Sequence, residues 1–307
     1  MWRKKNVSLW RNYKLPFLTN LKKHNNMKRV IFLLATFLLA FGICLSASAQ
    51  NEVRVKGLET SSEKAHGECR FTIDYVTTDN EMFNMAMNLH LRDWINQLVS
   101  KRLEKPMERM KTSNAKEMEA YIKQSAETVA TSLSEEWEEF LKDQEEDSFY
   151  RDMKQSEGLV VALLEDQPRY VCMSRVSSGF YGGAHGFASY LHYVIRKSDG
   201  KIIEPFRDDK VEELGDYIYA RLCKDDLGGL DVDMVETAEA KAEFAEAVRS
   251  YGVSATPSDA WTDGKSLFIQ YQQYEIVPYA YGAPLVTLPM EVARPYLSAE
   301  LLELLDK

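Results

Sequence analysis

The chain has 307 residues, 45% of them apolar, 11% aromatic and 28% charged, which excludes a disordered, collagen-like or multi-span membrane protein. Its net charge of −9 is unevenly spread: residues 1–49 hold nine Lys+Arg and no Asp or Glu, leaving 29 basic against 47 acidic residues, a net of −18, in the rest. A body that acidic is repelled by phosphate backbones and anionic lipid, which argues against nucleic acid and membrane surfaces as partners.

Residues 1–49 read as a leader and signal peptide. Lys28 and Arg29 precede an apolar run over 30–45, and Ser46-Ala47-Ser48-Ala49-Gln50 offers a small-residue exit with cleavage after Ala49. The run is shorter than the ~20 residues of a spanning helix, so a cleaved signal is expected and a retained membrane anchor is the alternative. Met27 is the expected start, because Met27-Lys28-Arg29 opens such a signal well. Ile43 before Cys44 disfavours lipid attachment. The expected location is periplasmic or extracellular, where Cys69, Cys172 and Cys223 allow at most one internal disulfide. Cys69 and Cys172 lie in strand-like segments that one sheet could bring together.

Residues 53–57 and 69–77 read as strands, the second alternating with period two. Asp79 offers an N-cap to a helix on Phe83, Met87, Leu91, Trp94, Ile95 and Leu98, with Met82 and Met85 counted as core. Pro106 breaks the pattern, and a second helix over 114–143 follows, with Asn114 and Glu117 as a capping box. Its apolar stripe runs Met118, Ile122, Ala126, Val129, Leu133, Trp137, Phe140, and the acids around Glu135–Asp147 form its solvated face and exit. Strands are expected at 149–154, 158–164, 169–177 and 187–196, with a hairpin turn at Ser198-Asp199-Gly200-Lys201. Helices at 210–223 and 235–250, strands at 266–274 and 285–289, and a short helix at 298–305 complete the chain. Helices segregated among mostly antiparallel strands make the fold class α+β.

The densest motif is Tyr181-Gly182-Gly183-Ala184-His185-Gly186. It lacks the lysine and helix start of a phosphate cradle. A catalytic His185 needs a nucleophile or carboxylate partner, and Ser177 and Ser178 are near only in sequence. The plainer reading is a tight strand connection whose histidine bonds to backbone. His66 with Cys69 lacks the second pair of a zinc site. Asp231, Asp233 and Glu236 resemble a fragment of a calcium loop but suit a helix-start cap better. No metal, cofactor or catalytic residue is expected.

Two stretches carry a resemblance: the strand-loop-strand from Val176 through the glycine motif to Lys201, and Tyr274-Glu275-Ile276-Val277-Pro278-Tyr279-Ala280-Tyr281-Gly282 followed by Val286 and Leu288-Pro289. Together they resemble the RsiV/PdaC-like paired domains of unknown function, found in the ectodomain of a lysozyme-sensing anti-sigma factor and beside a peptidoglycan deacetylase domain. The resemblance implies an exported α+β module facing the cell envelope, divided into an N-terminal part at 50–200 and a C-terminal part at 201–307. No deacetylase domain accompanies it here. The expected function is non-enzymatic binding of an envelope macromolecule, either a cationic protein such as a lysozyme, attracted by the acidic body, or a cell-wall glycan. Tyr181, His185, Tyr274, Tyr279 and Tyr281 are the candidate binding residues, because tyrosine offers an apolar body and a polar tip. The alternatives are a polysaccharide or peptidoglycan-processing hydrolase or deacetylase accessory, with His185 paired to Glu275, and a membrane-tethered signalling ectodomain.

Overall fold

The computed structural model describes residues 52–102, 112–145 and 148–306. The leader, the signal segment and Pro106 lie outside them. Among the described residues no helix is long and apolar enough to cross a membrane.

The first sheet opens with β1 (Arg54–Glu63) and β2 (Gly67–Thr77), an antiparallel pair. On β2 the period-two reading holds: Cys69, Phe71, Ile73 and Tyr75 are buried on one face. Helices α1 (Glu81–Val99) and α2 (Ala115–Leu141) follow, and the chain re-enters the sheet as β3 (Gln155–Asp166), parallel to β2. β4 (Tyr170–Phe180), β5 (Phe187–Arg196) and the two-residue β6 (Ile202–Ile203) extend it antiparallel, in the order β1-β2-β3-β4-β5-β6.

The cap of α1 is Asn80 rather than Asp79. Its side-chain oxygen accepts from Met82 N at 3.0 Å, and its amide donates to the carbonyls of Lys197 and Ser198, so one residue starts the helix and pins it to the β5–β6 turn. Asn114 caps α2 as expected, accepting from Lys116 N and Glu117 N, and the Glu117 carboxylate accepts from Ser113 N, one residue before the cap. Of the three methionines counted as core in α1, only Met87 is buried; Met82 and Met85 are 55% and 64% exposed because they lie off the apolar stripe. The expected strand at 149–154 is a 3-10 turn, Phe149–Asp152, on which Phe149 is 77% exposed.

The remaining chain forms a second, antiparallel sheet in the order β7-β10-β9-β8, from Asp231–Val232, Leu285–Pro289, Ser266–Gln270 and Ala260–Thr262. Around it lie α3 (Val211–Leu222), α4 (Ala238–Tyr251), α5 (Met290–Ala293) and α6 (Ala299–Leu305). The expected acidic helix cap at Asp231 is thus a strand, and α4 begins later, capped by Thr237. The α+β expectation is borne out.

The first half of β4 and the second half of β5 are covered on both faces, which explains their near-continuous apolar character. Val171, Met173 and Ile195 face the core with α1 and α2, while Tyr170, Cys172, Val194 and Ile203 face the core of the second sheet. This alternation also separates the two cysteines: Cys69 is in the first core and Cys172 in the second, and both are free thiols, as is Cys223. Burial pushes the Cys69 and Cys172 thiols up to about 12, so both stay protonated and inert.

Candidate functional site

The two motifs meet. After Gln270 the chain leaves β9 and lies along the open edge at the start of β5, where side-chain amides stand in for strand pairing. Gln273 Oε1 accepts from Ala188 N at 3.1 Å, and Gln272 accepts from Tyr190 N at 2.9 Å while donating to the Tyr190 carbonyl at 2.5 Å. This ends the expected 266–274 strand four residues early and turns the next aromatics toward the glycine loop. Tyr279 stacks on His185 with ring centroids 4.0 Å apart, and Tyr274 joins them at 5.4 Å from Tyr279 and 6.4 Å from His185.

Hydrogen bonds fix the cluster. His185 Nδ1 lies 2.9 Å from the Gly186 carbonyl, which also accepts from the Tyr279 hydroxyl at 3.0 Å. With Nδ1 donating there, Nε2 is left to accept from the Tyr274 hydroxyl at 3.4 Å. Tyr274 is 50% exposed and has φ of 66°, a left-handed conformation that an aromatic residue rarely adopts. The Tyr251 hydroxyl holds the Tyr274 carbonyl at 2.9 Å. Backbone strain beside an exposed ring is the kind of feature that gathers at binding sites.

The other two predicted residues lie elsewhere. Tyr181 is a post on the far side of the glycine loop. Its hydroxyl donates to the buried Glu157, Arg102 sits 4.8 Å over its ring, and Phe187 packs at 5.4 Å. Arg102 in turn donates to Glu157 at 2.7 and 3.0 Å. Burial, with Glu157 beside it, pushes the Tyr181 hydroxyl up to about 12, so it remains a donor. Tyr281 leaves the cluster altogether and packs edge-on against Phe244 of α4 at 5.7 Å. Gly182 is required between these posts: its φ is 86°, and a Cβ there would stand 2.5 Å from the Trp137 ring.

Among the described residues no hydrogen bond joins His185 to Glu275. Glu275 accepts from Gln272 N at 2.5 Å, and burial holds its carboxyl above the ordinary range. A raised carboxyl favours the protonated folded state, so its stabilising contribution is complete below the ordinary value of 4.5 and is lost as pH rises through the raised one. Glu275→Gln, which keeps an acceptor for Gln272 N, is expected to raise Tm at about pH 7 and to lose that advantage below about pH 4, followed by thermal denaturation across pH.

Sequence reasoning missed His192. Its Nδ1 lies 2.7 Å from Asp259 Oδ2, its backbone N–H donates to Asp259 Oδ1 at 2.9 Å, and its ring stacks on Trp261 at 4.1 Å. Ser174, whose hydroxyl has no hydrogen-bond partner among the described residues, is its cross-strand neighbour. The group resembles a hydrolytic triad only in residue types, because all three side chains are sealed between the sheets. Elsewhere, Asp225, Asp226 and Glu236 line a surface depression of about 520 Å³. Among the described residues no group of three or more His, Cys, Asp or Glu is placed to hold a metal ion.

These features define a two-sheet α+β protein whose two outlying motifs converge on an exposed aromatic cluster. Residues 206–291 match the family described as a protein of unknown function, DUF3298. The chain is similar in structure to a crystal structure of a DUF3298 member from Bacteroides fragilis, with a TM-score of 0.56 and 17% identity, over 82% of this chain and 96% of that one. A DUF3298 family protein from Pseudomonas aeruginosa gives a TM-score of 0.48 and 14% identity, over 82% of this chain and 98% of that one. No curated protein matches the chain in sequence. The matched segment contains Tyr274, Tyr279 and Tyr281, whereas Tyr181 and His185 lie before it.

Proposed function

We propose that the protein is an exported, non-enzymatic binding module of the cell envelope, with the finer RsiV/PdaC-like organisation that the two motifs suggest. Its ligand is an envelope macromolecule, a cationic protein such as a lysozyme or a cell-wall glycan. The observation that carries this reading is the His185–Tyr279–Tyr274 cluster: two segments about ninety residues apart in sequence assemble an aromatic surface whose outermost ring, Tyr274, is half exposed on a strained backbone. Tyrosine and histidine rings suit such contacts because they bury apolar area at low entropic cost and keep a polar edge. The acidity of the body adds attraction for a basic partner and none for a neutral glycan.

The test is retention of the protein on immobilised lysozyme and on insoluble peptidoglycan, each at low and at physiological salt. Retention on lysozyme that weakens with salt supports a cationic protein ligand. Retention on peptidoglycan that survives salt supports a glycan. Failure to bind either, at micromolar protein, counts against the reading.

A further inference from the structure

A second aromatic surface is built where α2 ends, on Trp137, whose ring also backs Gly182 of the glycine loop. Phe140, Phe149 and Tyr150 are 41%, 77% and 38% exposed, and their rings form a chain, Phe140 to Tyr150 at 5.5 Å and Tyr150 to Phe149 at 6.1 Å. The buried Trp137 backs this chain, 4.8 Å from Phe140 and 6.1 Å from Tyr150. The patch is held in place. Trp137 Nε1 donates to the Tyr150 carbonyl at 3.1 Å, and Arg151 donates to the carbonyls of Gln144 and Glu145 at 2.8 and 3.0 Å, closing the end of α2. Aromatic rings kept in water by a rigid scaffold mark an interaction site more often than a packing accident.

Charge says what covers it. Glu136 stands four before Phe140, on its side of the helix, Asp143 is exposed in the turn just past the helix end, and Glu135, Glu139, Glu145 and Asp152 are also exposed near the end of α2. Among the described residues Lys142 pairs with Glu139, Arg102 with Glu136 and Glu157, Lys154 with Glu63, and Arg151 with the carbonyl of Gln144, which leaves Glu135, Asp143, Glu145 and Asp152 as the exposed acids of the rim. The face is therefore apolar at its centre and negative at its rim.

We propose that this face docks a polypeptide segment that carries Lys or Arg among apolar side chains. The rings take the apolar groups and the faces of the cations, and the rim carboxylates take the charges. A neutral glycan leaves the rim unmatched, and a second copy of this acidic chain repels it. The inference rests on the rings and carboxylates at the end of α2 and uses neither Tyr274 nor Tyr279.

The probe is a fluorescent Lys/Leu amphipathic peptide, with a Glu/Leu peptide of the same pattern as control, titrated into the protein by anisotropy at low and physiological salt. The Lys/Leu peptide is expected to bind and the Glu/Leu peptide not to. Phe149→Ala combined with Asp143→Asn, both exposed, is expected to weaken binding by roughly tenfold, and Met85→Ala, a likewise exposed apolar change on α1, to leave it unchanged. Equal binding of the two peptides, or equal binding by the double variant and the parent, overturns the proposal. So does loss of peptidoglycan retention in Phe149→Ala, which would assign the face to a glycan. Dissociation of a dimer by that variant, seen in ultracentrifugation, would assign it to a second copy and overturn it too.

Discussion

Asp259→Ala is expected to destabilise the protein by about 2–5 kcal/mol, because it strips two buried hydrogen-bond partners from His192 at once. Asp259 accepts from both the backbone and the ring of His192, and the two side chains are 4% and 1% exposed. Removing the carboxylate leaves a buried N–H and a buried imidazole without their partner. The loss falls where the two sheets meet, since His192 is on β5 and stacks on Trp261 of β8. Thermal denaturation followed by circular dichroism should show a fall in Tm of roughly 10 °C. Asp259→Asn should lose much less, because Asn Oδ1 still accepts the backbone N–H. Equal stability of the alanine variant and the parent would show that the pair is not a joint.

Gly67→Ala is expected to cost about 3 kcal/mol, at the upper end of overpacking. A Cβ at Gly67 would lie 2.2 Å from the Ala130 carbonyl oxygen, 2.8 Å from Ser134 N and 2.9 Å from Leu133 Cβ. Two of these are backbone atoms of α2, so relief requires moving the helix off β2 rather than turning a side chain. The same change at Gly57, where a Cβ would meet nothing within 4 Å, is expected to be neutral or to stabilise by about 0.5 kcal/mol through the strand preference for alanine over glycine. Urea denaturation of both variants checks the contrast, and similar midpoints would refute the close packing of α2 on β2.

How much of this was legible in the sequence depended on how local the cause was. Periodicity placed α1, α2 and most strands because burial at every second or every third-to-fourth residue leaves its mark along the chain itself. The 149–154 error has the same root. Phe149 and Tyr150 look like strand residues, yet they belong to a turn set by Arg151 and Trp137, contacts no window of sequence contains. Strand β7 escaped notice because its two residues are strand only through pairing with β10. At the site, the glycine motif and the tyrosine-rich segment were both visible as unusual compositions. That His185, Tyr274 and Tyr279 converge while Tyr181 and Tyr281 do not was invisible, because it follows from Gln272 and Gln273 edging β5. The His192–Asp259 pair was hidden for a similar reason: the partners are 67 residues apart and neither sits in a motif.

The cluster assignment is tested most directly by comparing Tyr274→Ala with Tyr281→Ala for retention on whichever of lysozyme or peptidoglycan binds the parent protein. Tyr274 belongs to the exposed cluster and Tyr281 packs on Phe244, so the first change should weaken retention by roughly tenfold and the second should leave it intact. Equal retention by both variants, or turnover of the wall polymer that disappears in His185→Ala, would contradict the account.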